Sequence, residues 1–570
     1  MKKIIALLLV SIMVFSLCSC AKEEAPIEEI EEIQIEETPE PQPVASDFVS
    51  EYFVDPINSW TTYDDMLNEA ASASDGNEHS RLLHTAEDTL LSTYCVLPLY
   101  YGSDTFLCKD YVSGIYSDCF AVKYFMYCVI NKSTTSLHIG INSDPLSLDP
   151  AAVSSSDEAN LAANCFSGLY TYDENGCLVS ACAKDCKVSK DGLTYSITLK
   201  PNLKWSDGTD LKASDFVYSW IRAASMENGS LFSNFKGYDK GELRIKAVND
   251  TTIEFVLNEP CAYMKELLTN PVFYPVCQSS VEGNPDNWAL SSGFVSNGAF
   301  VCASWSHGSH IVYDANPYWY DADKVNIEKI KVTIADEKIA FTLYENGSLE
   351  FLDCFPESES ASLSESGDLK SISTLETGFI SVNCTSALFS DKTAEQSACM
   401  REAFSLLIDR DYICQRLAQQ GQQVADSFIP PLMSDGNGGL FGSSGFIDPY
   451  AITDDFDNTI DEAVNLLSLA GFEFSDDNVL SDATPLSINY LVKDSSFSLR
   501  LAEYVLQDLA VIGIKTNIIP VSEEEYPEAV NSGDYDFMHS SIRAIYNDPV
   551  CMLEMWISDS ESNFSRFGVR

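Results

Sequence analysis

The stretch Asp191–Trp220 reads DGLTYSITLKPNLKWSDGTDLKASDFVYSW. Leu193–Lys200 alternates apolar and polar side chains, the period of a half-buried strand. Lys204-Trp205-Ser206-Asp207-Gly208 follows. Asp207-Gly208 supplies a turn, and Trp205 offers a large anchor for a core. Ser214 is positioned as an N-cap ahead of the helical run DFVYSW, which opens near Asp215. Strand, tight turn and helix follow in quick succession. These residues are scaffold rather than chemistry.

The same alternation of periods recurs near the carboxyl end. Leu486–Val492 reads as a strand. Leu499–Gly513 reads as a helix with Ala502, Val505, Leu506 and Leu509 inward and Gly513 as its stop. Ile514–Val521 reads as the next strand. A β-α-β unit of this kind implies parallel sheet with helices over it. Thr393-Ala-Glu-Gln396 forms a capping box. The helix behind it carries Met400, Ala403, Phe404, Leu407 and Ile408 on one face. The fold class is α/β.

The chain has 570 residues and a formal net charge of −52. Nucleic acid is excluded as a partner by that balance, since neutralising phosphates needs clustered Lys and Arg. The first twenty residues read as a leader. Lys2 and Lys3 precede the short apolar run Ile4–Leu17, and Leu17-Cys-Ser-Cys20 resembles a bacterial lipobox with Cys20 as the acylated residue. Residues 21–48 carry nine Glu between Glu23 and Glu40 and three Pro from Pro39 to Pro43. Like charges and proline predict an extended acidic tether, reaching at most about 90 Å at ~3.3 Å per residue. The remaining cysteines are scattered, with no C-x-x-C pair. Buried, unoxidised thiols are the expectation for so many in a large non-repetitive chain.

Asp191–Trp220 closely resembles the signature of the oligopeptide/dipeptide/nickel class of ABC-transporter solute-binding proteins. The resemblance extends through Ser143–Pro150 (SDPLSLDP), Cys165–Gly176, Ser296–Ile330, Tyr344–Pro356, Met400–Ile413 and Ser532–Pro549. It implies a two-lobed periplasmic-binding-protein-like fold of type II, in the large class with an extra subdomain. At Arg570 the family would still have roughly eighty residues to run. Those elements are found at the front. Thr61–Ser72 resembles the helix that should follow Ser562–Phe567. Arg81–Tyr116 resembles the family's closing helix, proline strand and return into the first lobe, and Phe120–Ile130 resembles its last strand. Asn131–Ser136 is a short joint to the usual first strand. The order therefore reads as circularly permuted, which exposed loops and adjacent termini tolerate. The expected domains are the leader (1–20), the tether (21–48), a contiguous first lobe (99–319, with a subdomain near 168–275) and a split second lobe (49–98 plus 320–570).

The resemblance implies an extracytoplasmic receptor, lipid-anchored to the cell membrane. It would close on a peptide between its lobes and deliver it to ABC permease subunits. Carried over residue by residue, the ligand contacts are Asn297 in SNGAF, Ser154 after the LDP motif, and Tyr100 and Tyr101 at the lobe crossover. Peptide-binding members commonly hold the ligand's α-ammonium with an aspartate shortly before the tyrosine of RAIYNDP. Here Ile542 and Ile545 stand at the aligned positions, with Arg543 between them. Either another acid such as Asp548 compensates, or the ligand has no free amino terminus there and Arg543 meets a carboxylate.

Enzyme readings find no inventory. The six His lack an H-E-x-x-H arrangement, and neither a G-x-S-x-G elbow nor a phosphate-binding glycine loop is present. His307 and His310 fall in a hairpin turn. No cofactor or metal is called for. The alternative reading is a surface receptor or sensor on the same scaffold, taking an oligosaccharide or metal chelate without transport.

Overall fold

The computed structural model describes residues 58–569, save 360–361, 364–366, 417–420, 437 and 444–455. The expected leader with Cys20 and the acidic tether lie outside the described residues.

Two helices come first, α1 (Asn58–Ala71) and α2 (Gly76–Leu91). Asp75 caps α2, accepting the Asn77 N–H at 2.9 Å. A long strand, β1 (Val96–Cys108), leads to β2 (Ser136–Ile141) and α3 (Ser156–Cys165). A separate four-stranded antiparallel sheet follows. It is built from β3 (Ala183–Val188), β4 (Thr194–Leu199), β5 (Ile245–Asn249) and β6 (Thr252–Val256), in the order β5-β6-β4-β3. Helix α4 (Ala213–Ala223) packs on it, with Trp220 fully buried and its indole N–H donating to the Phe273 carbonyl at 2.8 Å.

The opening stretch folds as strand, turn and helix, with one correction. Gly208 sits at φ +85°, a left-handed position where a Cβ is unfavourable, and the Asp207 carboxylate accepts the Thr209 N–H. Trp205 is buried, and its indole reaches Asp215 at 3.3 Å. The N-cap is Lys212, not Ser214. Asp215 reaches back to the Lys212 N–H at 2.8 Å, satisfying a helix-start donor from inside the first turn, so Ser214 lies within the helix.

The principal sheet adds β7 (Phe300–Ser306), β8 (His310–Ala315), β9 (Lys329–Ile334), β10 (Phe351–Leu352), β11 (Leu369–Val382), β12 (Gln423–Val424), β13 (Ser487–Lys493), β14 (Lys515–Val521) and β15 (Phe537–Arg543). Its order is β7-β8-β9-β2-β10-β1-β11-β15-β13-β14, with β12 also on β1. The predicted β-α-β unit is β13, helix α6 (Ser496–Ala510) and β14, the two strands running parallel. Helix α5 (Ala394–Leu406) begins with the predicted capping box: Thr393 Oγ accepts the Gln396 N–H, and Gln396 Oε1 accepts the Thr393 N–H.

Two cores flank this sheet, and a third, larger one holds the front helices, the four-stranded sheet and the far end of the chain together. Leu137, Ile139, Ile330, Val332 and Phe300 form one, joined by Phe106 from β1. Met400, Phe404, Ile488, Leu501 and Val505 form the other, joined by Leu97 and Ile380. Strands β1 and β11, antiparallel from Val96↔Ser381 to Leu107↔Leu369, carry the chain between the two halves. The later crossing falls in β11, further along than the boundary expected near residue 320. Both β9 and β10 pair in parallel with β2, which keeps residues 329–352 in the first half.

The front helices pack against the far end of the chain. Trp60 donates its indole N–H to the Trp556 carbonyl at 2.9 Å, and Tyr63 donates to Leu553 at 2.8 Å. Asp64 accepts both the N–H and the hydroxyl of Ser558. Trp60 also meets Phe567 edge-on at 4.9 Å between centroids. Gly568, at φ +68°, leaves the space its ring needs, since a Cβ there would fall 2.1 Å from the indole. Every cysteine from Cys95 to Cys551 is a free thiol.

Candidate functional site

Along β1 the crossing runs between Tyr100, in one core, and Phe106, in the other. Register shifts at Pro98/Tyr100 and Tyr101/Ser103 open the ladder here. Gly102 lies in this break. A Cβ on it would come 2.7 Å from the Glu376 Cβ, so the glycine is what allows Glu376 to lie across β1.

Charged groups line this crossing. Lys123, with 1% of its side chain exposed, sits between Asp104 and Asp353, each 2.7 Å from its ammonium. Asn160 ties the group together, donating to Asp353 at 2.7 Å and accepting the Lys123 N–H at 2.8 Å. Burial pulls the Lys123 ammonium down, but Asp353 and Asp104 together hold it above its usual value. Burial pushes Asp157, next to this group, up to about 6, and the nearby Asp353 adds to the shift. On the β15 side Arg543 stands directly opposite Glu376 in the ladder and donates through Nε and Nη2, at 3.0 and 2.8 Å, to the single oxygen Oε2.

The structure sorts the residues singled out from sequence. Tyr100 is buried, its ring over Gly378 and its hydroxyl 3.5 Å from His539 Nε2. Burial brings His539 down to about 4, so its ring is neutral. Tyr101 is also buried, donating to Asp426 at 2.7 Å and accepting the Ser427 N–H. Asn297 is buried and committed: its carbonyl accepts the Ser167 N–H and its amide donates to the Ser167 carbonyl. Ser154 is exposed and donates through both its N–H and hydroxyl to Glu158.

Asp548 is wholly buried. One oxygen accepts the Val550 N–H, and the other lies 2.8 Å from His79 Nε2. The other His79 nitrogen faces the Ala70 carbonyl at 2.7 Å. With acceptors on both sides, the ring is best satisfied as an imidazolium, and the Asp548 carboxylate raises it above its usual value despite burial. Asp548 therefore ties α2 to the segment before α7 (Val550–Leu553) and, wholly buried, is closed to a ligand. Arg543 alone of the six presents charge outward, with 41% of its side chain exposed against 20% for Glu376.

Sequence reading missed the Lys123 group. The available signal was a lone lysine inside the apolar run Phe120–Phe125, where a charge needs a partner. His307, in the β7–β8 turn, holds Asp144 and the Leu290 carbonyl. No group of three or more metal-ligating side chains is assembled among the described residues, and none of their helices is long and apolar enough to cross a membrane.

Comparison with known proteins agrees with this architecture. The chain is 27% identical over 447 residues to the periplasmic oligopeptide-binding protein of Salmonella typhimurium, covering 75% of this chain and 78% of that one. It is 25% identical over 457 residues to the oligopeptide-binding protein of Bacillus subtilis, covering 76% and 79%. Among solved structures, the unliganded open form of the periplasmic murein tripeptide-binding protein MppA superposes with a TM-score of 0.66 at 24% identity, over 76% of this chain and 84% of that one. Residues 178–564 match the profile described as bacterial extracellular solute-binding proteins, family 5. With more than half of its length matched and a sheet carried between two cores by crossing strands, this chain is a member of that extracytoplasmic binding-protein family.

Proposed function

We propose that this protein is a lipid-anchored receptor that captures peptides over the crossing of β1 and β11 and delivers them to the permease subunits of an ABC importer. The observation that carries the reading is the crossing itself. Two strands join the two halves of one sheet, with charged side chains along them, so a ligand touching both halves favours their approach. The peptide class is supported by the names of the relatives. The anchor is supported by the lipobox at Leu17–Cys20 and the acidic tether behind it.

In this reading α1, α2 and the start of β1 complete the second lobe, and the chain is a circular permutant of the family order. The lobes are then about 99–368 and 58–98 plus 369–569. Packing of Trp60, Tyr63 and Asp64 on residues 553–567 supports this, as does a family match that begins only at residue 178.

Native mass spectrometry of the protein released gently from its source tests the function. A ladder of co-purified peptides is the expected result. An empty cleft, or one loaded with oligosaccharide, contradicts it. Metabolic labelling with palmitate tests the anchor: label is expected on the wild type and absent from Cys20→Ala.

A further inference from the structure

We infer that Arg543 is the specificity-determining group of the cleft floor and takes the α-carboxylate of a bound peptide. The inference rests on the peptide reading above and adds to it the polarity of the ligand at this end.

The unspent charge at the crossing is unevenly distributed. Asp548 is closed off by His79 and the Val550 N–H. Asp104 and Asp353 share Lys123, which is itself buried between them. Glu376 holds Arg543 through one oxygen only. A guanidinium has five N–H donors in a rigid fork, and Arg543 uses two of them, both on that one oxygen. Among the described residues its Nη1 makes no hydrogen bond, the Asp104 carboxylate lies within electrostatic reach, and its side chain is the more exposed of the pair.

The neighbours set the chemistry. Ile542 and Ile545 flank Arg543 in sequence, and Ile545 is exposed. Neither can pair with an ammonium. Glu376 sits on β11 over Gly102 and fixes the guanidinium from one side, as a positioning residue. What remains is a planar, preorganised donor edge at the point where both halves of the sheet meet. Such an edge matches a carboxylate in a two-bond fork, an arrangement stronger than a neutral hydrogen bond. In a chain with 34 Lys and Arg against 86 Asp and Glu, a long-range field would repel anions. Selection for a carboxylate must then come from this contact.

The test uses mixed-sequence pentapeptides in four end chemistries: free at both ends, acetylated at the amino end, amidated at the carboxyl end, and blocked at both. Each pool is equilibrated with the full-length protein and read by native mass spectrometry, with affinities of retained members measured by calorimetry. Wild type is expected to retain acetylated peptides as well as free ones and to bind amidated ones at least tenfold more weakly. Arg543→Gln is expected to lose that tenfold preference while still binding amidated peptides, and Glu376→Gln to retain the preference. The inference is overturned if Arg543→Gln keeps the preference, or if wild type demands a free amino end and ignores amidation. Retention of no pool by the wild type overturns the peptide reading itself, and the inference with it.

Discussion

Two pairs of opposite charge join distant parts of this chain, and they are built differently. His79 and Asp548 are both fully buried, and each of their polar atoms has a partner inside the protein. Glu376 and Arg543 lie across neighbouring strands, partly exposed, with donors left over. A buried pair desolvates two charges and is kept by its hydrogen bonds, so losing one partner strands the other. An exposed pair contributes little to stability and stays available to a ligand. Charge inside the fold therefore holds it together, and charge at the crossing is free to recognise.

Substitutions that remove one side of each pair sharpen this contrast. Asp548→Ala leaves an uncompensated histidine beneath the Tyr263–Tyr546 stack, whose rings lie 4.9 Å apart. The expected loss is about 3–5 kcal/mol in urea unfolding. If Asp548→Ala unfolds at the wild-type midpoint, the buried pair is not holding the two chain ends together. Trp60→Ala removes a fully buried indole stacked on Tyr63 at 4.5 Å and is expected to cost about 3–5 kcal/mol, because a cavity opens under residues 553–567. A much smaller loss would make the front helices an appendage rather than part of the core they share with residues 550–567.

Acidity probes the same interior. Burial pushes Glu87, which accepts from the Ser427 hydroxyl and the Ile429 N–H, up to about 7. It does the same to Glu266, which accepts from Tyr172. Unfolded, each binds its proton near 4.3. A raised folded value means that the contribution is complete below the unfolded value and lost as pH rises through about 7. His79, also raised, adds a loss of the same sign from about 6.5 upward. His539, brought down by burial to about 4, works in the opposite sense below 6.5, so stability should fall between pH 5 and pH 8 and more clearly above 6.5, measured as the urea midpoint. A rise over that range would mean that these groups are ionised and paired in the fold.

Smaller effects follow at the surface. Thr393→Ala removes half of the capping box and should cost about 1 kcal/mol. Arg543→Gln should change stability by less than about 1 kcal/mol. A large loss there would mean that the pair with Glu376 is a structural brace rather than an open contact.

Much of the scaffold was legible because its signals are local. The turn at Asp207-Gly208, the alternation of Leu193–Lys200 and the capping box at Thr393 each depend on residues a few positions apart. The site was harder because it depends on register. Glu376 and Arg543 meet only because β11 pairs with β15 one way and not another. Asn297 faces a backbone at Ser167 that no local pattern announces, and its side chain is spent there. His79 carried no sequence signal at all, since its partner lies near the other end of the chain. Lys123 was visible as a charge out of place, but its partners Asp104 and Asp353 were not.

The most direct measurement is hydrogen–deuterium exchange of the protein with and without its co-purified peptide. Binding is expected to slow exchange in both crossing strands, at residues 100–105 and 371–378, and around Arg543 on β15. Protection confined to one half of the sheet, or falling only on the four-stranded sheet of β3 to β6, would contradict capture at the crossing.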